Sequence, residues 1–175
     1  MCYFENYLIY GKTARYIQLY ELNILELYIV LRYIKSYPEV PLLKLTRDCI
    51  PYYSFGKLLK FIEKETSEKS IVQFCSIFKN VKDKRNHFIH YFFVQNNFYT
   101  VEGLKLLNVE LLELNNYFFN ALRNSITVLD IYKLKMIKLG YENTTEIIES
   151  IILKLLPNKN IVRFHKDIDL ENIQM

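Results

Sequence analysis

The sequence predicts an all-α protein, folded as an up-and-down bundle of long helices with short extra helices. Only four Gly and four Pro occur in 175 residues, which leaves little material for turns and therefore favours few, long elements. Apolar residues recur at three- and four-residue steps over long segments. No segment combines sustained apolar-polar alternation with Gly or Asn-Gly turns at its ends, as the strands of hairpins would.

The composition predicts a single domain that spans residues 1–175. Hydrophobic residues make up 51% of the chain and charged residues 24%, which excludes a disordered protein. The net charge of +4 is compatible with nucleic-acid binding but falls far short of a lysine-rich tail. Cys2, Cys49 and Cys75 lack CxxC spacing, so we expect neither a disulfide framework nor a zinc knuckle.

We expect a cytoplasmic protein that does not enter a membrane. Unpaired cysteines suit a reducing compartment, and the N-terminus lacks the basic and apolar regions of a secretory signal. Charged residues such as Arg32 and Lys154 interrupt every apolar run before about 18 residues, the length that a membrane span needs.

The first half of the chain is predicted to hold a long helix from about Thr13 to Lys35. Three prolines confine the stretch after it to at most one short helix over residues 42–48, because proline lacks an N–H donor and disfavours the α conformation of its predecessor. A helix over residues 54–65 follows, with Ser54 as its cap. Another begins at Ser67 or Ser70, or anew near Lys82, and ends before Asn96 and Asn97.

The second half is predicted to hold the longest helix, from Leu104 to about Lys138, which Gly103 precedes and Gly140 ends as a C-cap. A last helix runs from residue 144 or 145 to 156, where Pro157 stops it. The apolar stripe of the longest helix is predicted to consist of Leu107, Leu111, Leu114, Phe118, Leu122, Ile126, Leu129 and Leu134.

Residues 85–90, Arg-Asn-His-Phe-Ile-His, hold two of the three histidines beside an arginine and an asparagine. On a regular helix Asn86 and His90 share a face, whereas Arg85 lies about 140° round from His90. One polar pocket would therefore need Arg85 in the first turn of its helix, or a symmetric dimer that brings two copies together. The residues predicted to anchor this helix in the bundle are Phe88, Ile89 and Phe92.

These side chains fit the cleavage of RNA without a metal or cofactor. His90 can take a proton from a 2′-hydroxyl or return one to the leaving 5′-oxygen. Arg85 can hold the scissile phosphate and stabilise the charge of the phosphorane, while Asn86 orients His90 or binds a phosphate oxygen. Candidate substrate-binding residues are His87, Lys79, Lys82 and Lys84. The chemistry predicted is that of a metal-independent endoribonuclease.

The order Arg85, Asn86, three further residues, His90 resembles the Arg-polar-x3-His motif of the HEPN superfamily, and long helices flank it as in that family. The resemblance implies a HEPN-type helical bundle with Arg85 and His90 as the catalytic pair and Asn86 as the polar residue. It further implies a homodimer whose two motifs face each other, an RNA substrate, and a role as a toxin with a cognate antitoxin protein or in phage defence. Some family toxins carry a modified tyrosine where this chain has Phe92, with Tyr91 one residue earlier.

Plainer interpretations remain open for each feature. Arg85 and His90 can be surface residues with local hydrogen bonds, and the whole chain can be a non-catalytic helical module that binds nucleotide, nucleic acid or a partner protein. His87 and His90 alone make a poor zinc site, because further ligands are remote in sequence. The helical spacing of most Tyr and Phe residues indicates core, and the lysines can form a solvated face. A small basic group near the end of the chain, Arg163, His165 and Lys166, suggests no function.

Overall fold

The computed structural model describes residues 3–36, 55–65, 80–95 and 99–140, together with residues 146 and 148. Four helices account for most of these residues, and the described part of the chain contains no strand. We label them α1 (Tyr3–Ser36), α2 (Phe55–Glu65), α3 (residues 80–95) and α4 (Val101–Lys138). The all-α prediction is confirmed, and none of the described helices has the length and apolarity to cross a lipid bilayer.

The helices α1 and α4 begin at other residues than predicted, and local hydrogen bonds show where each of them starts. α1 starts well before Thr13, whose hydroxyl donates to the carbonyl of Ile9 at 2.8 Å within a continuous helix. α4 starts at Val101 because the Thr100 side chain accepts a hydrogen bond from the N–H of Gly103 at 3.0 Å, as an N-cap does. Gly140 follows α4 with φ +87°, as predicted for its C-cap.

Three polar pairs between α1 and α4 set the direction and register of these two helices. In each pair the residues are 102 positions apart in the sequence. A constant offset means that α1 and α4 run parallel. The pairs, with their hydrogen-bond lengths, are Asn6 with Asn108 at 2.6 Å, Thr13 with Asn115 at 3.1 Å and Asn23 with Ser125 at 3.1 Å.

α3 packs against both long helices and runs antiparallel to them. Its earlier residue Arg85 contacts Glu21 of α1, whereas the later Phe88 stacks on Tyr10 with ring centroids 4.5 Å apart. The same order holds against α4, where Lys84 contacts Tyr117 and the later His87 contacts the earlier Glu110. α2 follows the direction of α1, since Phe55 contacts Tyr20 and Phe61 contacts Tyr28. Among the described helices, α3 thus runs opposite to α1, α2 and α4, and together they form a helical bundle.

The buried face of α4 follows the predicted stripe as far as Leu129, except that Ile126 is half-buried. Leu134 was predicted to be buried, but its side chain is 58% exposed. The prediction was wrong because a step of five residues from Leu129 leaves the buried face of a helix with 3.6 residues per turn. Tyr132 and Met136, at steps of three and four, are buried instead.

Several predicted elements lie outside the described residues. They are the short helix over residues 42–48, the segment that begins at Ser67 or Ser70, the stop at Asn96 and Asn97, the three cysteines and the basic group near the end. Of the predicted helix at residues 144–156, the structure describes Glu146 and Ile148, both of which are helical.

The placement of α3 predicts a large stability difference between two neighbouring apolar residues. We expect Phe88→Ala to lower the free energy of unfolding by about 3–5 kcal/mol, because the ring is buried between both long helices. Ile89→Ala serves as the matched control and should change it by less than about 0.5 kcal/mol, since Ile89 is 44% exposed. Denaturant unfolding of both variants measures the difference, and equal losses would contradict the burial pattern.

Candidate functional site

The motif lies on a π-helical turn, His87–Tyr91, inside α3. The N–H of Phe92 donates to the carbonyl of His87, five residues earlier, while the flanking Asn86 and Phe92 keep ordinary α conformations. Single π turns of this kind are uncommon and occur often at functional sites. Because the turn holds more residues than an α-helical turn, each residue rotates through a smaller angle, and His90 lies closer to the face of Arg85 than about 140°.

The π turn also decides which apolar residues anchor α3. Phe88 and Phe92 are buried as predicted, but Ile89 is exposed, which corrects its predicted role as an anchor. On a regular helix Phe92 would lie between Phe88 and Ile89. The wider turn moves Phe92 to the far side of Phe88, so that Ile89 is left at the edge facing solvent.

Arg85 lies inside α3, after helical residues 80–84, and not in a first turn as one of the two predicted arrangements required. Its Nε donates to Oε1 of Glu21 on α1 at 2.6 Å, and its Nη1 donates to Oδ1 of Asn86 at 3.1 Å. The guanidinium group has five N–H donors, and these two contacts use two of them. Among the described residues, the other three N–H groups of Arg85 have no acceptor, and the side chain is 25% exposed.

Asn86 therefore contacts a different residue from the one the sequence suggested. Its side-chain oxygen accepts from Arg85, whereas orientation of His90 was one of its two predicted roles. Within the described part of the chain no hydrogen bond joins Asn86 to His90. The contact joins the guanidinium to Asn86, which lies on the face of α3 that helical spacing assigns to His90 as well.

The side chain of His87 extends from α3 towards α4. Its Nε2 lies 2.8 Å from Oε1 of Glu110 on α4, and both side chains are one-third exposed. The edge of the ring also meets Phe92, with centroids 6.4 Å apart. Since Arg85 turns towards α1 and His87 towards α4, the structure brings Arg85 and Asn86 together but separates His87 from them.

His90 is exposed on the outer face of α3. It contacts the ring of Tyr91 with centroids 6.2 Å apart, and it makes no hydrogen bond to another described residue. Tyr91 is also exposed, whereas Phe92 is buried and closed to any modifying partner. The imidazole of His90 is therefore accessible from solvent.

Two of the three candidate lysines lie on the described part of α3. Lys84 holds its Nζ 4.9 Å from the ring centroid of Tyr117, and burial raises the pKa of that tyrosine. Lys82 is exposed, and its side chain crosses α2 at Gly56. A Cβ atom on Gly56 would lie 3.3 Å from the Cε of Lys82. Lys79 lies outside the described residues. The described lysines border the motif without touching it.

Sequence reasoning missed Glu21 and Glu110. They are 64 and 23 positions from their partners in the motif, on helices whose relative placement no local pattern gives. No three His, Cys, Asp or Glu side chains in the described ranges come together as a metal site would require.

Comparison of the sequence with models of protein families, with curated proteins and with solved structures found no match. The resemblance to the HEPN superfamily therefore rests on the motif and its helical setting alone.

The contact between His87 and Glu110 predicts a small coupling in stability. A double-mutant cycle of His87→Ala and Glu110→Ala should give about 0.2–1 kcal/mol, because the pair is partly exposed and screened. The coupling should shrink in about 1 M salt. Glu113→Ala, an exposed acid on the same helix, is the control and should show no coupling to His87. A coupling of zero at low salt would show that this contact does not stabilise the packing of α3 against α4.

Proposed function

We propose that this chain is a metal-independent endoribonuclease of HEPN type that cleaves RNA through attack of the 2′-hydroxyl. The observation that carries the proposal is the guanidinium of Arg85, which Glu21 and Asn86 hold with three N–H donors left over, on the same helix as the solvent-accessible His90. A phosphate binder beside a proton-transfer group is the minimum that this reaction needs when no metal takes part.

In the proposed reaction Arg85 holds the scissile phosphate. Its three remaining N–H donors suit the non-bridging oxygens, and they stabilise the negative charge that grows on the phosphorane. His90 acts as acid or base at the 2′-oxygen or the 5′-oxygen. Asn86 contributes by holding the guanidinium through its Oδ1. Lys82 and Lys84 supply positive charge along the same helix.

The family assignment extends the proposal to partners. A HEPN-type enzyme would work as a homodimer, which would bring the second exposed His90 and Arg85 into the same cleft. It would serve as the toxin of a toxin–antitoxin system or in phage defence, in the cytoplasm, with a cognate antitoxin protein as partner. The lack of hydrogen bonds between His90 and the described residues supports a site completed by a second copy.

A second candidate is a non-catalytic helical module that binds nucleotide, nucleic acid or a partner protein. The contact between Glu21 and Arg85 favours it, because a carboxylate at 2.6 Å offsets the charge that a phosphate would meet. Under this alternative the ion pair stabilises the contact between α1 and α3, and His90 takes no part in chemistry.

Cleavage assays separate the two candidates. We expect the wild-type protein to cut tRNA or mRNA in EDTA, and His90→Ala and Arg85→Ala to lower the rate by about 10²–10⁴-fold each. Arg123→Ala, an exposed arginine on α4, is the matched control and should keep full activity. Equal cleavage by wild type and His90→Ala would contradict the assignment as a ribonuclease of this type. Binding of RNA without products would favour the module.

The proposed role as a toxin has a cellular test. Expression of the wild-type chain should arrest growth, a neighbouring antitoxin gene should relieve the arrest, and Arg85→Ala should abolish it at equal protein level. Growth arrest that persists in Arg85→Ala would show that the effect does not come from the motif.

A further inference from the structure

We propose that Glu21 is a positioning residue for Arg85, and that it sets the direction in which the guanidinium presents its free N–H groups to the scissile phosphate. The inference rests on the proposed function and adds to it a residue from α1, a helix that the motif does not include.

The geometry of the guanidinium carries the inference. Arginine presents its donors in a rigid planar fork, so fixing two of the nitrogens fixes the third. Glu21 holds Nε at 2.6 Å and Asn86 holds Nη1 at 3.1 Å. The remaining donors, two on Nη2 and one on Nη1, then have fixed directions in the guanidinium plane, and no described residue accepts from them. The hydrogen bond from Nε to the Glu21 carboxylate is charge-assisted, and it is therefore the stronger of the two contacts.

The placement of Glu21 makes it a firm support. It lies on α1 between Tyr20 and Asn23, which are both buried, in a helix whose register against α4 is set by three polar pairs. Without Glu21, the long side chain of Arg85 would sample many rotamers. Restricting it to one rotamer when substrate binds would then cost up to about 2 kcal/mol of conformational entropy. Glu21 meets that cost before substrate binds, which is how pre-organisation favours the transition state.

The same contact has a second consequence for binding. The carboxylate of Glu21 lowers the net positive charge around Arg85, which weakens attraction of any phosphate, while it improves the orientation for one phosphate. Removing it should therefore slow turnover without weakening substrate binding. We expect Glu21→Ala to lower kcat by about 10–100-fold, the usual effect of a misplaced group, while KM stays equal or falls.

The test is a kinetic double-mutant cycle with Glu21 and Arg85, using the RNA oligonucleotide that the wild-type chain cleaves. If Glu21 acts only through Arg85, Glu21→Ala should lower kcat in the wild-type background and change it by less than about twofold when Arg85→Ala is already present. Glu21→Gln keeps an oxygen that can accept from Nε, and it should recover a large part of the lost rate. Glu5→Ala removes an exposed acid from the same helix and should leave both constants unchanged.

Each outcome decides between the possibilities. An equal loss of rate from Glu21→Ala with and without Arg85 would mean that Glu21 supports the fold generally, and a rise in KM with unchanged kcat would mean that it binds substrate; either overturns the proposal. Higher activity in Glu21→Ala would mean that the carboxylate blocks the site, which also overturns it. No cleavage by the wild-type chain would overturn the proposed function itself. Full activity of Glu21→Ala beside inactive Arg85→Ala and His90→Ala would overturn the role of Glu21 alone.

Discussion

The register between α1 and α4 is the constraint on which the rest of the described structure depends. Apolar contacts are non-directional and would tolerate several alignments of two helices, but the three polar pairs form only at the offset of 102 residues. Sliding α4 by one turn would break all three pairs, and each buried group left without a partner costs about 1–3 kcal/mol. The apolar core supplies stability, and the polar pairs select one arrangement. Near the other end of α4 the ion pair of Lys133 with the buried Glu26, at 2.7 Å, strengthens that choice.

This register places the two carboxylates that hold the motif. α3 lies against both long helices, with Phe88 and Phe92 buried at its centre. Glu21 on α1 and Glu110 on α4 then meet α3 on its two flanks, where Arg85 and His87 leave the helix. The outer face, with Asn86 and His90, remains accessible. Four polar residues within six positions of the sequence thereby have different surroundings. Arg85 contacts α1, His87 contacts α4, and Asn86 and His90 lie on the outer face, where Asn86 accepts a hydrogen bond from Arg85.

Local patterns predicted much of the fold because helical periodicity is a local property. The buried stripe of α4 up to Leu129 and the C-cap at Gly140 follow from spacing and from glycine's tolerance of positive φ. The first turns of α1 escaped prediction because exposed apolar residues such as Phe4 and Tyr7 obscure the periodicity there. The π turn escaped because Phe88 and Phe92, four residues apart, share a face on a regular α-helix too, so their spacing does not distinguish the two kinds of turn. Glu21 and Glu110 escaped because their pairing with the motif exists only after the helices pack.

The ion pair of Glu21 with Arg85 bears on how such a site could distinguish its substrate. A cluster of unpaired cations attracts any polyanion, and its affinity falls steeply with salt. This chain has a net charge of only +4, its lysines border the motif without entering it, and its one motif arginine is already opposed by a carboxylate. Under the proposed function, long-range attraction of the substrate is therefore weak, and productive binding depends on short, directed hydrogen bonds from the remaining N–H donors of the guanidinium. A phosphate is then recognised where its oxygens match those donors, so the shape of the RNA around the cleaved bond contributes more to selection than its charge.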